Sequence, residues 1–117
     1  MEISNEDRAA VGETVVKLER DFYGRGPGSV KVSIGGGDLS VITVLSVDSL
    51  SAMDRTLIDR DRRSAVVSHH QAVNDATADD FCDAIADIVG RGVDSYLAQV
   101  DPSTGYAVRV FVFDSDS

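Results

Sequence analysis

A continuous apolar stripe in the middle of the chain restricts the fold more than any other feature of the sequence. Between residues 62 and 89, side chains that suit a buried helix face recur at every third or fourth position: Val66, His70, Val73, Thr77, Phe81, Ile85 and Ile88. Because one helical turn takes 3.6 residues, this spacing predicts one long amphipathic helix, which ends at Gly90 and Gly92. A second start signal at residues 77–80 leaves a kink between residues 74 and 77 open.

A helix is also predicted near the start of the chain. Residues 4–7 (Ser-Asn-Glu-Asp) have the form of a capping box. The apolar residues Val11, Val15, Leu18 and Phe22 then share one helix face. Gly24 stands where a helix takes its left-handed cap, and Pro27 cannot continue a helix. These signals predict a helix from about residue 5 to residue 23.

Two pairs of strands flank the long helix. Apolar and polar residues alternate over residues 30–34 and 39–47, and residues 35–38 (Gly-Gly-Gly-Asp) predict the turn between them. Since Ile42 and Val44 make the other face of the second strand apolar too, that strand is predicted to lie inside the sheet. Residues 93–100 and 106–113 predict the second pair, joined by a turn. Residues 51–54 open a short helical turn after the first pair.

The predicted fold is α+β, with the order α-β-β-α-β-β and residues 1–117 in one domain. We expect a two-layer α/β sandwich in which a four-stranded antiparallel sheet carries the long helix on one face, and a frayed tail at residues 114–117. A helix of about 28 residues is roughly 42 Å long, whereas a strand of eight residues spans about 27 Å. The long helix should therefore overhang its sheet, and we predict a two-fold homodimer that buries the overhang.

The charge balance indicates a cell with molar internal salt. Acidic residues outnumber basic ones by 20 to 11, aspartate outnumbers glutamate by 16 to 4, and Lys17 and Lys31 are the two lysines. Short carboxylates hold water and cations, whereas long lysine stems expose apolar methylenes that concentrated salt drives together. A net charge of -9 also argues against nucleic-acid binding, because phosphate contacts need a basic face.

The same composition predicts a cytoplasmic protein without direct membrane insertion. The acidic start of the chain lacks the basic and apolar segments of an export signal. No run of about 18 apolar residues occurs, and the single cysteine, Cys82, fits a reducing compartment.

No residue pattern in the chain predicts catalytic residues, a metal site or a cofactor. His69 and His70 point about 100° apart on a helix and cannot ligate one metal from one face, so His70 is expected in the core or an interface and His69 at the surface. Asp79, Asp80, Asp83 and Asp87 are interpreted as a solvated helix face, with weak cation binding as the alternative.

Two segments are candidate binding sites. The first is the glycine loop Gly24, Arg25, Gly26 and Pro27, where glycines let the backbone approach a ligand or another chain, and a structural turn is the alternative. The second is the arginine cluster Arg55, Arg60, Arg62 and Arg63. It offers an anion or partner site, although the interleaved aspartates also suit surface ion pairs.

Five segments of the sequence together resemble those of a known protein family. They are residues 22–27 (Phe-Tyr-Gly-Arg-Gly-Pro), 50–57 (Leu-Ser-Ala-Met-Asp-Arg-Thr-Leu), 85–93 (Ile-Ala-Asp-Ile-Val-Gly-Arg-Gly-Val), Asp101-Pro102 and 110–113 (Val-Phe-Val-Phe). With these segments the chain resembles the MpsC family over nearly its whole length. Where family members usually carry glutamate, this chain has Asp54.

The resemblance implies a non-enzymatic accessory protein of a Na+-linked membrane-potential-generating or bicarbonate-uptake system, peripheral to the membrane through a transporter subunit. A small-anion regulatory domain, in which Arg25 and the arginines near residue 60 converge on a shared pocket in the dimer, is the alternative hypothesis. An enzyme that uses aspartate and arginine side chains alone is the third.

Overall fold

The computed structural model of the chain describes residues 3–35 and 39–114. Within them, the elements are α1 (Asn5–Tyr23), β1 (Ser29–Gly35), β2 (Leu39–Val47), α2 (Ala52–Asp59), α3 (Arg63–Ala76), α4 (Ala78–Val89), β3 (Ser95–Asp101) and β4 (Tyr106–Asp114). The α+β class is confirmed, but the order is α-β-β-α-α-α-β-β. Residues 36–38 of the predicted turn and residues 115–117 of the predicted tail lie outside the described residues.

The cap residues of α1 and α2 are those that the sequence predicts, although at α1 only the Ser4 half of the predicted capping box is shown. The side chain of Ser4 accepts a hydrogen bond from the Asp7 amide, and Gly24 ends α1 with a φ of 84°. In α2, Ser51 and Asp54 exchange side-chain and backbone hydrogen bonds, which completes a capping box. These local bonds satisfy amide groups that a helix end otherwise leaves without partners.

The sheet joins the two hairpins through their second strands. Its order is β1-β2-β4-β3 and all neighbours are antiparallel. The register pairs Ile42 with Phe111 and Val44 with Arg109. The prediction that residues 39–47 form an inner strand is therefore confirmed.

The hydrophobic core lies on one face of this sheet. Residues from α1, β2, α4 and β4 form the larger cluster: Val11, Val15, Ile42, Val44, Phe81, Ile85, Phe111 and Phe113. A smaller cluster, formed by Leu50, Val66, Val100 and Ala107, lies beside α2 and α3. The strand residues in both clusters belong to the same sheet face, so α1, α3 and α4 bury that face.

The prediction of one unbroken helix over residues 62–89 is wrong, and the kink that the sequence left open is present. Thr77 separates α3 from α4 with φ −111° and ψ 7°. Its hydroxyl donates to the Val73 carbonyl at 2.7 Å, a side-chain bond that competes with helical backbone bonding and bends helices. The break lets α3 pack on β3 while α4 packs on α1.

The break also removes the physical basis of the predicted overhang. Val66, His70, Phe81 and Ile85 of the stripe are all buried within one chain. Because two shorter helices cover the sheet at different places, no bare end of this stripe is left for a second copy to cover in the described residues. None of the helices in residues 3–35 and 39–114 combines the length and hydropathy needed to cross a bilayer.

Candidate functional site: a loop cleft beside a buried polar network

The glycine loop is fixed to the segment that connects β2 to α2. Arg25 Nη1 donates to the Leu50 carbonyl at 2.6 Å, and Arg25 Nη2 lies 3.3 Å from Asp48 Oδ2. Gly24 supplies the positive φ at the end of α1, and a Cβ there would meet nothing within 4 Å. The left-handed conformation, and not crowding, therefore requires glycine at this position.

The arginine cluster does not converge on one point, but one of its members meets the glycine loop. Arg55 Nη2 lies 2.6 Å from Asp48 Oδ1, so Arg25 and Arg55 bind the two oxygens of the same carboxylate. Arg63 turns away and donates to Ser103 Oγ at 2.9 Å. Arg60 and Arg62, at the ends of α2 and α3, are exposed.

A surface cleft lies between the glycine loop, α2 and α3, and we name it the loop cleft. Its volume is about 550 Å³. It is lined by Phe22, Tyr23, Gly24, Arg25, Ser51, Ala52, Met53, Asp54, Leu57, His69, His70 and Val73. Met53 is 71% exposed and Phe22 is 40% exposed, so two large apolar side chains stand at its opening. Two MpsC-like segments, residues 22–27 and 50–57, thus meet in one place.

The polar wall of the loop cleft is an interaction between α2 and α3. His70 Nε2 lies 2.9 Å from Asp54 Oδ2, and both side chains are buried. Burial acts to raise the pKa of Asp54, but hydrogen bonds from His70 and Ser51 outweigh it, and the pKa is lowered. His70 is therefore a core histidine, as predicted, and His69 is exposed. The capping box satisfies two amides at the start of α2, those of Ser51 and Asp54.

Behind this wall lies a buried polar network that the sequence did not predict. Arg109 in the middle of β4 is 3% exposed, and its Nη2 donates to Glu19 Oε1 of α1 at 3.1 Å. Ser46 Oγ on β2 donates to Oε2 of the same carboxylate at 3.0 Å. Burial raises the pKa of Glu19, although the Arg109 guanidinium opposes the shift.

The network extends towards the loop cleft through Tyr23 and Asn74. Arg109 Nη1 donates to Tyr96 Oη at 2.9 Å and to Asn74 Oδ1 at 3.4 Å, and the Tyr23 hydroxyl donates to the same Asn74 oxygen. Burial raises the pKa of Tyr96 to about 12, so its hydroxyl keeps its proton. The Arg109 guanidinium lies 4.1 Å above the centre of the Phe81 ring, a cation–π contact inside the core.

A small internal cavity separates the network from the loop cleft. Its volume is about 10 Å³, which is room for about one water molecule. Tyr23, Arg25 and His70 line both the cavity and the cleft. The Ser49 hydroxyl, also on the cavity wall, is buried and has no hydrogen-bond partner among the described residues, which fits a water molecule there. The network thus supports the inner wall of the cleft.

The sequence did contain weak signals for the network. Arg109 falls between Ala107 and Phe111 on the buried face of an apolar strand, and an arginine at such a position needs a partner. Glu19 follows Val11 and Val15 at four-residue spacing, so it continues the buried face of α1. Phe22, which we predicted on that face, is the residue that reaches the surface instead.

The remaining candidate residues stay separate. Asp79, Asp80, Asp83 and Asp87 are exposed on α4, as expected of a solvated face. Within residues 3–35 and 39–114, no group of three or more histidine, cysteine, aspartate or glutamate residues is placed to hold a metal ion.

Comparison with known proteins gives one match. A family model described as "Na+-translocating membrane potential-generating system (MpsC)" matches residues 6–115. No curated protein and no solved structure matches the chain.

Proposed function

Because the chain belongs to the MpsC family, we propose that it is a non-enzymatic accessory protein of the Na+-translocating membrane potential-generating system for which that family is described. Its role in this proposal is to bind a partner subunit. Polar side chains of its cleft support this view, since His70 and Asp54 are bonded to each other and Arg25 is bonded to Asp48 and Leu50.

The loop cleft is the observation on which the proposal rests. Its opening exposes Met53 and Phe22, while its walls are fixed by the bonds of Arg25 to Leu50 and of His70 to Asp54. Exposed apolar side chains on a rigid frame are typical of the central residues of protein interfaces, because little conformational entropy is lost when a partner covers them. We propose that an apolar side chain of a membrane subunit enters the cleft between Met53 and Phe22.

In this proposal the protein lies at the cytoplasmic membrane surface through its partner and without insertion of its own. The acidic composition, which we attribute to molar internal salt, then keeps the remaining surface hydrated.

Affinity purification from native membranes in molar salt tests the proposal, with the tagged chain as bait. We expect a membrane subunit to copurify with the wild-type chain and to be lost with Met53→Glu. An acidic residue in the first turn of α2 suits the helix dipole, so Met53→Glu should remain folded. Ser64→Glu is the matched control, because Ser64 is exposed, occupies the same position in the first turn of α3 and lies outside the cleft.

Two results would contradict the proposal. One is equal recovery of the membrane subunit with Met53→Glu and with the wild-type chain. The other is a gene deletion that changes neither the membrane potential nor the requirement for bicarbonate or high carbon dioxide.

A small-anion regulatory domain is the second candidate. The convergence of Arg25 and Arg55 on the Asp48 carboxylate favours it, because two guanidinium groups that bind one carboxylate form the kind of site that takes bicarbonate or phosphate. Asp48 itself fills that site, so an anion would have to replace it. A rise in melting temperature with bicarbonate or phosphate, absent in Arg25→Ala, would support this candidate over the first.

A further inference from the structure

The sheet has a second face that no helix covers among the described residues. We name it the bare face. Its apolar side chains come from three strands: Val41, Leu45, Val47, Leu97, Val108, Val110 and Val112. None of them belongs to either core cluster. Leu97 is 62% exposed, and the others are half-buried by one another.

The strand register makes these side chains contiguous. Thr43 pairs with Val110, and Val110 pairs with Leu97, so one row crosses three strands. The neighbouring rows contain Leu45 beside Val108 and Val41 beside Val112. An apolar patch of this extent on a small protein marks an interaction surface, because the water-exposed face of a sheet normally carries polar side chains.

The charges of the chain are placed away from this face. The sequence contains 20 acidic residues, but few charges lie on the bare face. Within residues 29–35, 41–47, 95–101 and 106–112, the register places two charged side chains there, Lys31 on β1 and Asp101 on β3. They stand on opposite edge strands. A protein with a net charge of -9 can approach its own copy at such a face, because few like charges meet there.

The size of the bare face is near the lower limit for a stable dimer interface. Four strands about 4.8 Å apart and about seven residues long give a flat footprint of roughly 20 Å by 23 Å, and two such footprints give about 900 Å². Because side chains project from the sheet, the accessible area of the two faces is larger than this flat value. Stable protein interfaces bury roughly 1,200–2,000 Å².

We propose that a second copy of the chain packs on the bare face, sheet against sheet, about a two-fold axis parallel to the strands. Sheets that pack face to face are separated by about 10 Å, and their inner side chains interdigitate. This axis sets β2 opposite β4 of the second copy and β1 opposite β3. Lys31 then faces the edge that carries Asp101, so the two charges at the border are of opposite sign.

Sedimentation velocity in molar potassium chloride tests the dimer. We expect the wild-type chain to sediment at twice its 12.5 kDa mass and Leu97→Glu and Val110→Glu to sediment as monomers. Met53→Glu, whose substitution lies on the helix side, should remain a dimer. Circular dichroism verifies that each variant is folded, and Leu97→Glu is the safer one because its side chain is already 62% exposed.

A labelling experiment tests the same face without a disruptive substitution. In a Cys82→Ser background, Thr43→Cys should react with a thiol reagent more slowly as the protein concentration rises, because the dimer covers the centre of the bare face. A wild-type chain that stays monomeric overturns the proposal, and so does a folded Leu97→Glu variant that still dimerises. Protection of Thr43→Cys that appears only when membranes are added assigns the face to another protein and also overturns it.

Discussion

Glu19 Oε1 and Arg109 Nη2 lie 3.1 Å apart in the interior of the protein, although 90 residues separate them in the sequence. The pair connects the C-terminal half of α1 to the centre of β4, and Ser46 completes the bonding of its carboxylate. Taking two charges out of water is costly, so a buried pair contributes less to stability than apolar side chains of the same volume would. The role of the pair here is to position neighbouring side chains, because the Arg109 guanidinium also donates to Tyr96 and Asn74.

Removal of one partner of the Glu19–Arg109 pair should destabilise the protein far more than removal of both. Arg109→Met leaves the Glu19 carboxylate buried without its counter-charge, and we expect the free energy of unfolding to fall by about 3–5 kcal/mol. The double variant Arg109→Met with Glu19→Leu should recover much of this loss. Urea unfolding in molar salt measures both. A double variant as unstable as the single one would show that the ion pair itself carries net stability.

The interaction between His70 and Asp54 should make stability depend on acid pH. The pKa of Asp54 is lowered in the folded chain from its ordinary value of 3.8, so near that pH the unfolded chain binds more protons than the folded one. The stabilising contribution of Asp54 is therefore complete above the unfolded-state pKa and is lost as the pH falls through the lower, folded-state pKa.

Asp54→Asn tests this dependence because asparagine does not titrate. We expect the difference in unfolding free energy between wild type and variant to shrink as the pH is lowered through this range. The raised pKa of Glu19 acts in the opposite direction, but it is common to both proteins and cancels in the difference. A difference that stays constant down to acid pH would contradict the prediction.

A side chain at Gly24 should reduce stability, although there is space for one. Its φ of 84° is left-handed, so Gly24→Ala should cost about 1–2 kcal/mol through backbone conformation alone. Gly92→Ala is the matched control, since that position has neither a positive φ nor a neighbour within 4 Å of an added Cβ, and its effect should stay within about 0.5 kcal/mol. Thermal unfolding compares the two, and equal losses would refute this explanation.

Arg25 and Arg55 should differ in their importance although both bind Asp48. Arg25 also donates to the partly buried Leu50 carbonyl, so Arg25→Ala should reduce stability by about 1 kcal/mol. Arg55 is 54% exposed and makes a surface pair, so Arg55→Ala should cost less than about 0.5 kcal/mol. Chemical unfolding of both variants in the same salt measures the difference, and a larger loss for Arg55→Ala would reverse this ranking.

The parts of the fold that the sequence predicts well depend on local signals. Ser4 and Gly24 act within one helical turn, so the ends of α1 could be read directly. The family resemblance also indicated residues 22–27 and 50–57, which the structure brings together in the loop cleft. Neither signal shows where these segments lie relative to each other.

The parts that the sequence did not predict depend on distant contacts. Val73, Thr77 and Phe81 keep four-residue spacing across the helix break, so the periodicity gives no sign of it. The start signal at residues 77–80 left a kink open, but the contacts that require one, of α4 with α1 and of α3 with β3, are known only from the fold. In the same way, Glu19 could not be identified as the partner of Arg109 before the sheet placed β4 beside β2.

The central pairing of β2 with β4 has a consequence for biosynthesis. Residues 39–46 pair with residues 107–114. During synthesis, one edge of β2 in the N-terminal hairpin therefore lacks its hydrogen-bond partners until nearly all the described chain has been made. Such late, long-range pairing slows folding, and an unpaired apolar edge invites wrong contacts between nascent chains. The chain should therefore depend on chaperones during its synthesis more than a helical chain of the same length does.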